Sequence, residues 1–364
     1  LAVQLADAGD RMTGTADGRG RNYAVWTLGL SEGTQVARAA AGTESIASFS
    51  ATATALHVVQ VTVGEDYACA ILTDQRPVCW GDNRYGQLGV GDQLSRATPT
   101  ALEGLGAALQ IVASPNYHTC ARDLAGDVWC WGAGWGSQTG SLAAVLQVTP
   151  VRVPGAQGAT TLDLGYLFSC AILAAGGARC WGSNDGGVLG AGLSLIGGSN
   201  YPAPQVVLGG DDFVSLGLDG DRACALDSEG EAWCWGRAVG GELSPYPAGL
   251  YNTPVQPIPG YKFSQVKLNG YTNCGIALGG VALCWGNNRG LGYGHTPQDT
   301  PVPISPRVDG PFAQLAADFD AFYGRTRSGG LAVWGYSLLG NFGVPMEVPL
   351  PVRAIDVAAG EYGY

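Results

Sequence analysis

The chain has 364 residues, a formal net charge of −11 and only 13% charged residues. Its hydrophobic fraction of 46% argues against intrinsic disorder, and no apolar run approaches the ~20 residues that a membrane-spanning helix needs. An acidic chain repels phosphate backbones, so we expect neither a nucleic-acid partner nor membrane insertion.

The first nine residues, LAVQLADAG, alternate apolar and polar side chains before a glycine. Alternation of this kind over six or seven residues predicts a half-buried β-strand. The chain starts at Leu1 rather than Met, which is what a trimmed, mature form would show. The same strand pattern returns along the chain, at 58–64, 159–165, 214–220, 264–270 and 354–360.

A longer motif follows each of these strands except the last, and residues 67–91, YACAILTDQRPVCWGDNRYGQLGVG, are its fullest copy. A tryptophan marks every copy, and successive markers are 49 to 54 residues apart. A fixed period of this length is the mark of a repeat architecture, in which stacked units share one core. We therefore predict a single domain over residues 1–364 with seven repeats, marked by Trp26, Trp80, Trp131, Trp181, Trp235, Trp285 and Trp334.

The ten cysteines form five pairs with ten positions between partners, and a Trp-Gly follows each second member. This spacing places partners opposite each other across a hairpin, and Gly126, Gly176, Gly230 and Gly280 fall where its loop needs a left-handed residue. Zinc ligands would come as tighter knuckles converging in fours, and buried reduced thiols are the other alternative. We predict cross-strand disulfides, which imply an oxidising compartment. The predicted pairs are Cys69 with Cys79, Cys120 with Cys130, Cys170 with Cys180, Cys224 with Cys234, and Cys274 with Cys284.

Each repeat therefore supplies one alternating strand, a two-stranded hairpin, a glycine-rich loop and a proline-bearing extended segment such as TPVRVPG at 149–155. Proline suits an edge strand because it cannot donate to a sheet. The prediction for the fold is all-β: a seven-bladed β-propeller of four-stranded antiparallel blades.

Two stretches depart from the pattern. Residues 30–57 are rich in Ala, Ser and Thr and have no proline segment, so we expect either a helical insertion or a surface loop there. Residues 354–364 begin a partial eighth repeat, whose strand either completes the ring or starts a unit that continues beyond Tyr364.

The repeats resemble those of the regulator of chromosome condensation family, which implies a seven-bladed propeller. The resemblance covers essentially the whole chain and is most specific in one repeat, at Trp80, Gly81, Asn83, Gly86, Gln87, Leu88 and Gly89. The cysteine-bearing variant is similar to a secreted bacterial branch of the family. The nuclear founders exchange nucleotide on a small GTPase and bind chromatin, which does not suit an acidic chain rich in disulfides. A bacterial relative binds its target through aromatic residues on one propeller face, but its repeats lack these cysteines.

Catalytic and phosphate-binding motifs are absent from the sequence, so we predict no enzyme and no cofactor. Besides zinc at the cysteines, calcium is the other metal to consider, with Asp219 and Asp221 as the local candidate; Asp-Gly is also an ordinary turn sequence. The loops after each Trp-Gly carry aromatic residues that could bind a protein partner. These candidate partner-binding residues are Tyr85, Trp135, Tyr293, Tyr336 and Phe342.

Together these features predict a non-enzymatic protein-interaction or assembly module that is secreted, periplasmic or displayed on a bacterial cell surface. Its partner would be another protein or further copies of the chain. One alternative is a structural subunit of an extracellular filament or sheath. Another is a hydrolase or lyase acting on extracellular glycan, which would require acidic residues converging at the central opening of the propeller.

Overall fold

The chain folds into β-strands with one short 3-10 turn, Asp185–Gly187. In this computed structural model the described residues are 2–6, 23–26, 33–41, 45–53, 58–141, 145–195, 199–243, 245–270, 272–286, 298–303, 311–318, 321–337, 340–349, 354 and 356–359. Side chains are described from residue 58 onward, except at 298–303, 336–337 and 340–345.

Within the described residues, six sheets each contain four consecutive antiparallel strands, and we name these blades I to VI. The strands of blades I to III are β5 (Val58–Val63), β6 (Tyr67–Leu72), β7 (Pro77–Gly81) and β8 (Arg96–Ala101); β9 (Ala108–Ala113), β10 (His118–Asp123), β11 (Val128–Ala133) and β12 (Leu146–Arg152); and β13 (Ala159–Leu164), β14 (Phe168–Leu173), β15 (Ala178–Ser183) and β16 (Asn200–Val206). The strands of blades IV to VI are β17 (Phe213–Asp219), β18 (Arg222–Asp227), β19 (Ala232–Ala238) and β20 (Gly249–Val255); β21 (Phe263–Leu268), β22 (Thr272–Ala277), β23 (Ala282–Gly286) and β24 (Gln298–Pro303); and β25 (Phe312–Ala317), β26 (Ala321–Thr326), β27 (Leu331–Ser337) and β28 (Gly340–Val348).

The first strand of each blade is the inner one, and from blade I to blade VI each inner strand packs against the inner strand of the next blade. The alternating strands of the sequence thus surround a central channel. The fourth strand of each blade is at the sheet edge and carries proline, for example Pro99 in β8 and Pro150 in β12. Proline is tolerated there because no further strand needs its missing N–H.

The prediction of seven four-stranded blades is wrong, because the described residues form six. Residues before 58 instead contribute a three-stranded sheet, in the order β1 (Ala2–Ala6), β3 (Gly33–Ala41) and β4 (Ser45–Ala53). A separate two-stranded sheet joins β2 (Tyr23–Trp26) to β29 (Asp356–Ala359). β29 lies between the inner strands β25 and β5, so the strand of the partial eighth repeat pairs with the first tryptophan-marked segment.

The stretch at 30–57 was expected to be a helix or a surface loop, and both expectations are wrong. β3 and β4 pair along nine residues as an antiparallel hairpin, from Gly33↔Ala53 to Ala41↔Ser45. The prediction relied on composition alone. Ala and Ser have weak preferences for strands, and their conformation here is decided by the strands with which they pair. The β4 strand also packs against β8 of blade I.

Residues with positive φ, nearly all of them glycines, lie at both ends of the hairpins. Gly126 in the blade II hairpin loop has φ +80, as the cysteine spacing predicts, and Gln75 takes φ +67 at the equivalent place in blade I, where no glycine is present. After the marker tryptophan, Gly132 has φ +93, and a Cβ there would lie 2.3 Å from the Tyr117 carbonyl oxygen. Gly132 also lies at the register shift between β11 and β12, and both its φ and the close Tyr117 carbonyl favour glycine after the marker tryptophan.

The hydrophobic core lies between blades rather than inside each one. Trp131 of blade II, for example, packs in one cluster with Tyr67, Ile71 and Leu88 of blade I. Its indole Nε1 also donates to the Gln87 carbonyl at 2.9 Å. Trp181 and Trp235 bind the loop of the preceding blade in the same way, through the Gln138 and Val188 carbonyls, so these three marker tryptophans join their own hairpins to the blade before.

Candidate functional site

Five disulfides hold the middle strands of blades I to V. Cys69 and Cys79 stand directly opposite each other in the β6/β7 register and are bonded through their sulfurs. The other predicted pairs are bonded at the same register of their own blades: Cys120 with Cys130, Cys170 with Cys180, Cys224 with Cys234, and Cys274 with Cys284. All ten cysteines are buried and none is free. Blade VI has Tyr323 opposite Val333 at the equivalent register, so five of the six four-stranded blades are covalently closed.

Glutamine side chains join the inner strands of neighbouring blades, a feature that our sequence reasoning missed. Gln60 Nε2 donates to the Ile111 carbonyl at 2.9 Å, and Gln60 Oε1 accepts from the Ile111 N–H at 3.0 Å. Gln265 binds Leu315 in the same two-way manner. The signal was available, because these glutamines occupy the third position of their inner strands, as do Gln110 and Gln314.

In each blade the loop between the first and second strands and the loop between the third and fourth strands lie on the same face of the propeller. In an up-and-down antiparallel blade the first and third connections leave at the same end. The loops β5–β6, β7–β8, β9–β10 and β11–β12 therefore share one face of blades I and II, which we call the loop face. The hairpin turns β6–β7 and β10–β11 lie on the opposite face.

Three aromatic rings from three of these loops meet on the loop face. The Tyr85 ring lies 4.7 Å from the Tyr117 ring and 5.0 Å from the Trp135 ring, measured between centroids. The Tyr117 and Trp135 centroids are 6.4 Å apart. Trp135 stands edge-on to both tyrosines, at 79° and 81°, an arrangement that aromatic pairs favour. We call Tyr85, Tyr117 and Trp135 the aromatic cluster.

The aromatic cluster remains open to solvent. Trp135 is 42% exposed, whereas Tyr85 and Tyr117 are half-buried. Tyr117 has φ +58, which is uncommon for a non-glycine residue, and strain of this kind concentrates at functional positions. An aromatic side chain that is exposed on a rigid scaffold is the kind of residue that anchors protein interfaces.

Charged groups border the aromatic cluster. The Tyr117 hydroxyl is hydrogen-bonded to the Glu65 carboxylate. Burial raises the pKa of Glu65 above its ordinary value, and the negative charge of Asp66 adds to this rise while the Tyr117 hydrogen bond opposes it. Burial and the bond to Glu65 also raise the pKa of Tyr117. Arg84 binds Asp82 at 3.0 Å and lies 6.0 Å from the centre of the Tyr85 ring.

The structure brings two of the five predicted partner-binding residues together, Tyr85 and Trp135. It adds Tyr117, which was missed because it precedes the cysteine hairpin rather than following a Trp-Gly. Tyr293 lies outside the described residues. Tyr336 and Phe342 were expected in a loop, but their backbones belong to strands β27 and β28.

The central channel contains a cavity of about 400 Å³ whose lining includes three carboxylates, Asp163, Asp219 and Asp318. Each is held by a neighbouring group. Asp163 accepts from Lys267 at 3.3 Å, Asp219 lies 3.8 Å from the Arg222 guanidinium, and Asp318 accepts from the Tyr323 hydroxyl at 2.8 Å. The channel therefore contains converging acidic residues, the feature that the glycan-acting alternative requires, and each of them is paired or hydrogen-bonded within the protein.

The candidate calcium residues point to different partners. Asp219 pairs with Arg222, whereas Asp221 pairs with Arg237. No group of three or more His, Cys, Asp or Glu residues able to hold a metal ion occurs in the described part of the chain.

The His118 side chain lies in the protein interior, between two blades. Its ring is fully buried, and Nε2 lies 3.2 Å from the Ser169 hydroxyl of the next blade. Burial lowers the pKa of His118 to about 3, so the imidazole is neutral at ordinary pH.

The described residues also contain no helix with the length and apolar character of a membrane span.

Comparison with known proteins identifies the repeats. Residues 58–87 and 79–122 match the family described as Regulator of chromosome condensation (RCC1) repeat, which confirms the family resemblance seen in the sequence. The chain is 27% identical to the ultraviolet-B receptor UVR8 of Arabidopsis thaliana over 202 residues. That match covers 53% of this chain and 45% of the receptor, so the chain matches less than half of this curated relative's length.

Solved structures share the fold at low sequence identity. Human WBSCR16 superposes with a TM-score of 0.74 at 18% identity, covering 87% of this chain and 88% of that protein. Prp20p from Saccharomyces cerevisiae, described with its binding properties to Gsp1p and histones, has a TM-score of 0.67 at 16% identity over 81% of this chain and 77% of that one. The chain thus shares the propeller fold of these structures.

Proposed function

Residues 58–122 carry RCC1 repeats, and on that premise we propose that this chain is a non-enzymatic protein-interaction module working outside the cytoplasm, as a secreted or cell-surface protein. The observation that carries the proposal is the aromatic cluster on the loop face. Its exposed tryptophan is supported by two half-buried tyrosines from separate loops. Tryptophan and tyrosine dominate the binding energy of protein interfaces because they bury large areas at low entropic cost.

Rigidity of the scaffold supports a binding role. The loops that carry Tyr85 and Trp135 both follow strands that are tied by disulfides, Cys69–Cys79 and Cys120–Cys130. A loop held at its base loses little further freedom when a partner binds, so more of the contact energy becomes affinity. Yeast Prp20p, which shares the fold, is described as binding Gsp1p and histones, so this architecture is compatible with protein recognition. Those partners themselves are not proposed for this chain.

The proposed location rests on the five disulfides. Disulfides persist in secreted, periplasmic and surface proteins and are rare where thiol reductants are abundant. The chain has five buried disulfides and no free cysteine. A reducing compartment would not keep all five of them oxidised.

A glycan-acting enzyme is not favoured. The channel does bring together the acidic residues that this alternative requires, Asp163, Asp219 and Asp318, but each of them is bound to a neighbouring group. A filament or sheath subunit remains distinguishable from a binding module by its native mass.

The test combines native mass, thiol accessibility and one pair of variants. The protein is isolated from its source without reductant, alkylated, and analysed by native mass spectrometry and size exclusion. The proposal expects no alkylated thiols and a complex with a different protein that disappears in Trp135→Ala. Tyr261→Ala is the matched control, because Tyr261 is 41% exposed in the β20–β21 connection on the opposite face, and it should retain the complex.

Two results would reject the proposal. Homogeneous assemblies of this chain alone would identify a structural subunit. Thiols that react without denaturant would remove the argument for an oxidising compartment.

A further inference from the structure

The chemistry of the aromatic cluster limits what a partner can present to this surface, and the inference rests on the proposed function. Trp135 is 42% exposed and lies at steep interplanar angles, 79° and 81°, to the rings of Tyr85 and Tyr117. The face of an aromatic ring carries negative potential, and tryptophan is the best ring for attracting a cation. The cluster itself therefore favours a positively charged group.

The charged side chains around the cluster are mostly carboxylates, so they also favour a positively charged partner group. Among the described residues that interact electrostatically with Glu65 and Tyr117, the carboxylates Asp66 and Asp82 are accompanied by one cation, Arg84. Arg84 is already engaged, at 3.0 Å from Asp82 and 4.0 Å from Asp66. The border of the cluster thus keeps an excess of negative charge, in line with the chain's net charge of −11.

The protein shows at Tyr85 how the cluster accommodates a cation. The guanidinium carbon of Arg84 lies 6.0 Å from the Tyr85 ring centre while its nitrogens bind a carboxylate. Trp135 contacts the same Tyr85 ring and is more exposed than either tyrosine, and the carboxylates that interact with Tyr117 lie next to it in the cluster. Arginine is suited to such a place because its planar group stacks on rings and pairs with carboxylates at once.

Other occupants fit less well. An acidic or phosphorylated segment would meet Glu65, Asp66 and Asp82 at close range, which is a like-charge repulsion. A neutral apolar segment would cover Glu65, whose carboxylate is already partly buried, and would remove its remaining water without supplying a countercharge.

We infer that the aromatic cluster docks a basic segment of a protein partner, with an arginine or lysine side chain placed against Trp135 and paired with Glu65 and Asp66. Electrostatic complementarity of this kind steers association and weakens with salt.

The experiment uses the full chain labelled with fluorotryptophan and observed by fluorine NMR. The chain has 10 tryptophans, and the resonance missing in Trp135→Phe identifies the one in the cluster. Three synthetic peptides of equal length are titrated, with alternating Arg-Gly, Ser-Gly and Glu-Gly sequences. The inference expects the Arg-Gly peptide alone to shift the Trp135 resonance saturably, with weaker binding at higher salt.

Charge-neutral variants then test the carboxylates. Glu65→Gln keeps an acceptor for Tyr117, and Asp66→Asn suits the left-handed backbone at φ +55. The double variant should bind the Arg-Gly peptide about threefold to tenfold more weakly. The control is Asp211→Asn with Asp212→Asn, a pair of exposed carboxylates in the β16–β17 connection on the opposite face, which should change nothing.

Three results would overturn the inference: an equal response to the Ser-Gly peptide, unchanged affinity in the Glu65→Gln, Asp66→Asn variant, or no response to any peptide. None of them decides the proposed function, which depends on the loss of the native complex in Trp135→Ala. If that complex is lost while the peptides fail, the surface is an interface for a partner that is not basic.

Discussion

The side chain of Gln110 holds both backbone groups of Leu162 in the next blade. Its Nε2 donates to the Leu162 carbonyl at 2.8 Å, and its Oε1 accepts from the Leu162 N–H at 3.1 Å. A side-chain amide has the same donor and acceptor arrangement as a peptide group. Gln110 therefore binds the Leu162 backbone in the way that a neighbouring strand would, at a blade boundary where the two inner strands do not pair. The inner strands around the channel are thereby joined by hydrogen bonds as well as by packing.

Replacing Gln110 with Ala should reduce the free energy of unfolding by about 1–3 kcal/mol, because the two Leu162 groups lose their partners. Urea denaturation followed by circular dichroism measures the change. Gln205→Ala is the control, since Gln205 donates within its own edge strand to the Ala203 carbonyl, and surface changes of this kind stay within about 0.5 kcal/mol. Equal stability of the two variants would show that the inter-blade bridge contributes nothing.

Removing one disulfide should weaken the protein without abolishing its fold. Cys170→Ala with Cys180→Ala is expected to lower the free energy of unfolding by about 2–3 kcal/mol through the loss of a constraint on the unfolded chain. Blade VI forms its sheet with Tyr323 opposite Val333 at this register, so the strands can pair without the bond. The measurement is chemical denaturation without reductant, compared with the native protein. An unchanged midpoint would contradict the constraint argument.

The glycine after the marker tryptophan should not tolerate a side chain. Gly132→Ala places a Cβ 2.3 Å from the Tyr117 carbonyl oxygen at φ +93, so we expect a loss of more than about 3 kcal/mol or failure to fold. Gly106→Ala is the control, because nothing lies within 4 Å of a Cβ at that position. Comparison of soluble yield and melting temperature tests the pair, and a stable Gly132→Ala protein would refute the close approach.

Acid should destabilise the fold partly through His118. Burial lowers its pKa to about 3 in the folded protein, whereas the unfolded chain has an ordinary value near ~6.5. Between these values the unfolded state binds the extra proton, so the free energy of unfolding falls as pH decreases through this window, by up to ~1.4 kcal/mol per pH unit.

His118→Phe should flatten this dependence, and the protein already places Phe168 at the equivalent position of blade III. Unfolding free energies measured at about pH 4 and pH 6 give the slope. If the variant and the native protein have the same slope, His118 is not the group that takes up the proton.

Much of each blade could be predicted because its signals are local. The ten-residue cysteine spacing and the loop glycine specify the hairpin register, and Cys120 indeed faces Cys130 with Gly126 in the turn. Turn geometry depends on a few neighbouring residues, so a sequence reader sees the whole cause. The number of four-stranded blades could not be predicted in the same way, because the segments around Trp26 pair with β29, more than three hundred residues away.

The candidate site shows the same division. Tyr85 and Trp135 were recognisable as loop aromatics that follow Trp-Gly, but the loop prediction failed for Tyr336 and Phe342, which lie in strands. Tyr117 gave no signal, since its importance comes from its distance to the two rings beside it.

By itself the sequence determined the repeat, the disulfide pairs, the marker tryptophans and the acidic character of the chain, because these follow from composition and from contacts within a few residues. Only the tertiary structure decided the six four-stranded blades, the glutamine bridges and the meeting of Tyr85, Tyr117 and Trp135. Those features join residues that are tens to hundreds of positions apart, and their energies exist only after the blades have packed in a ring.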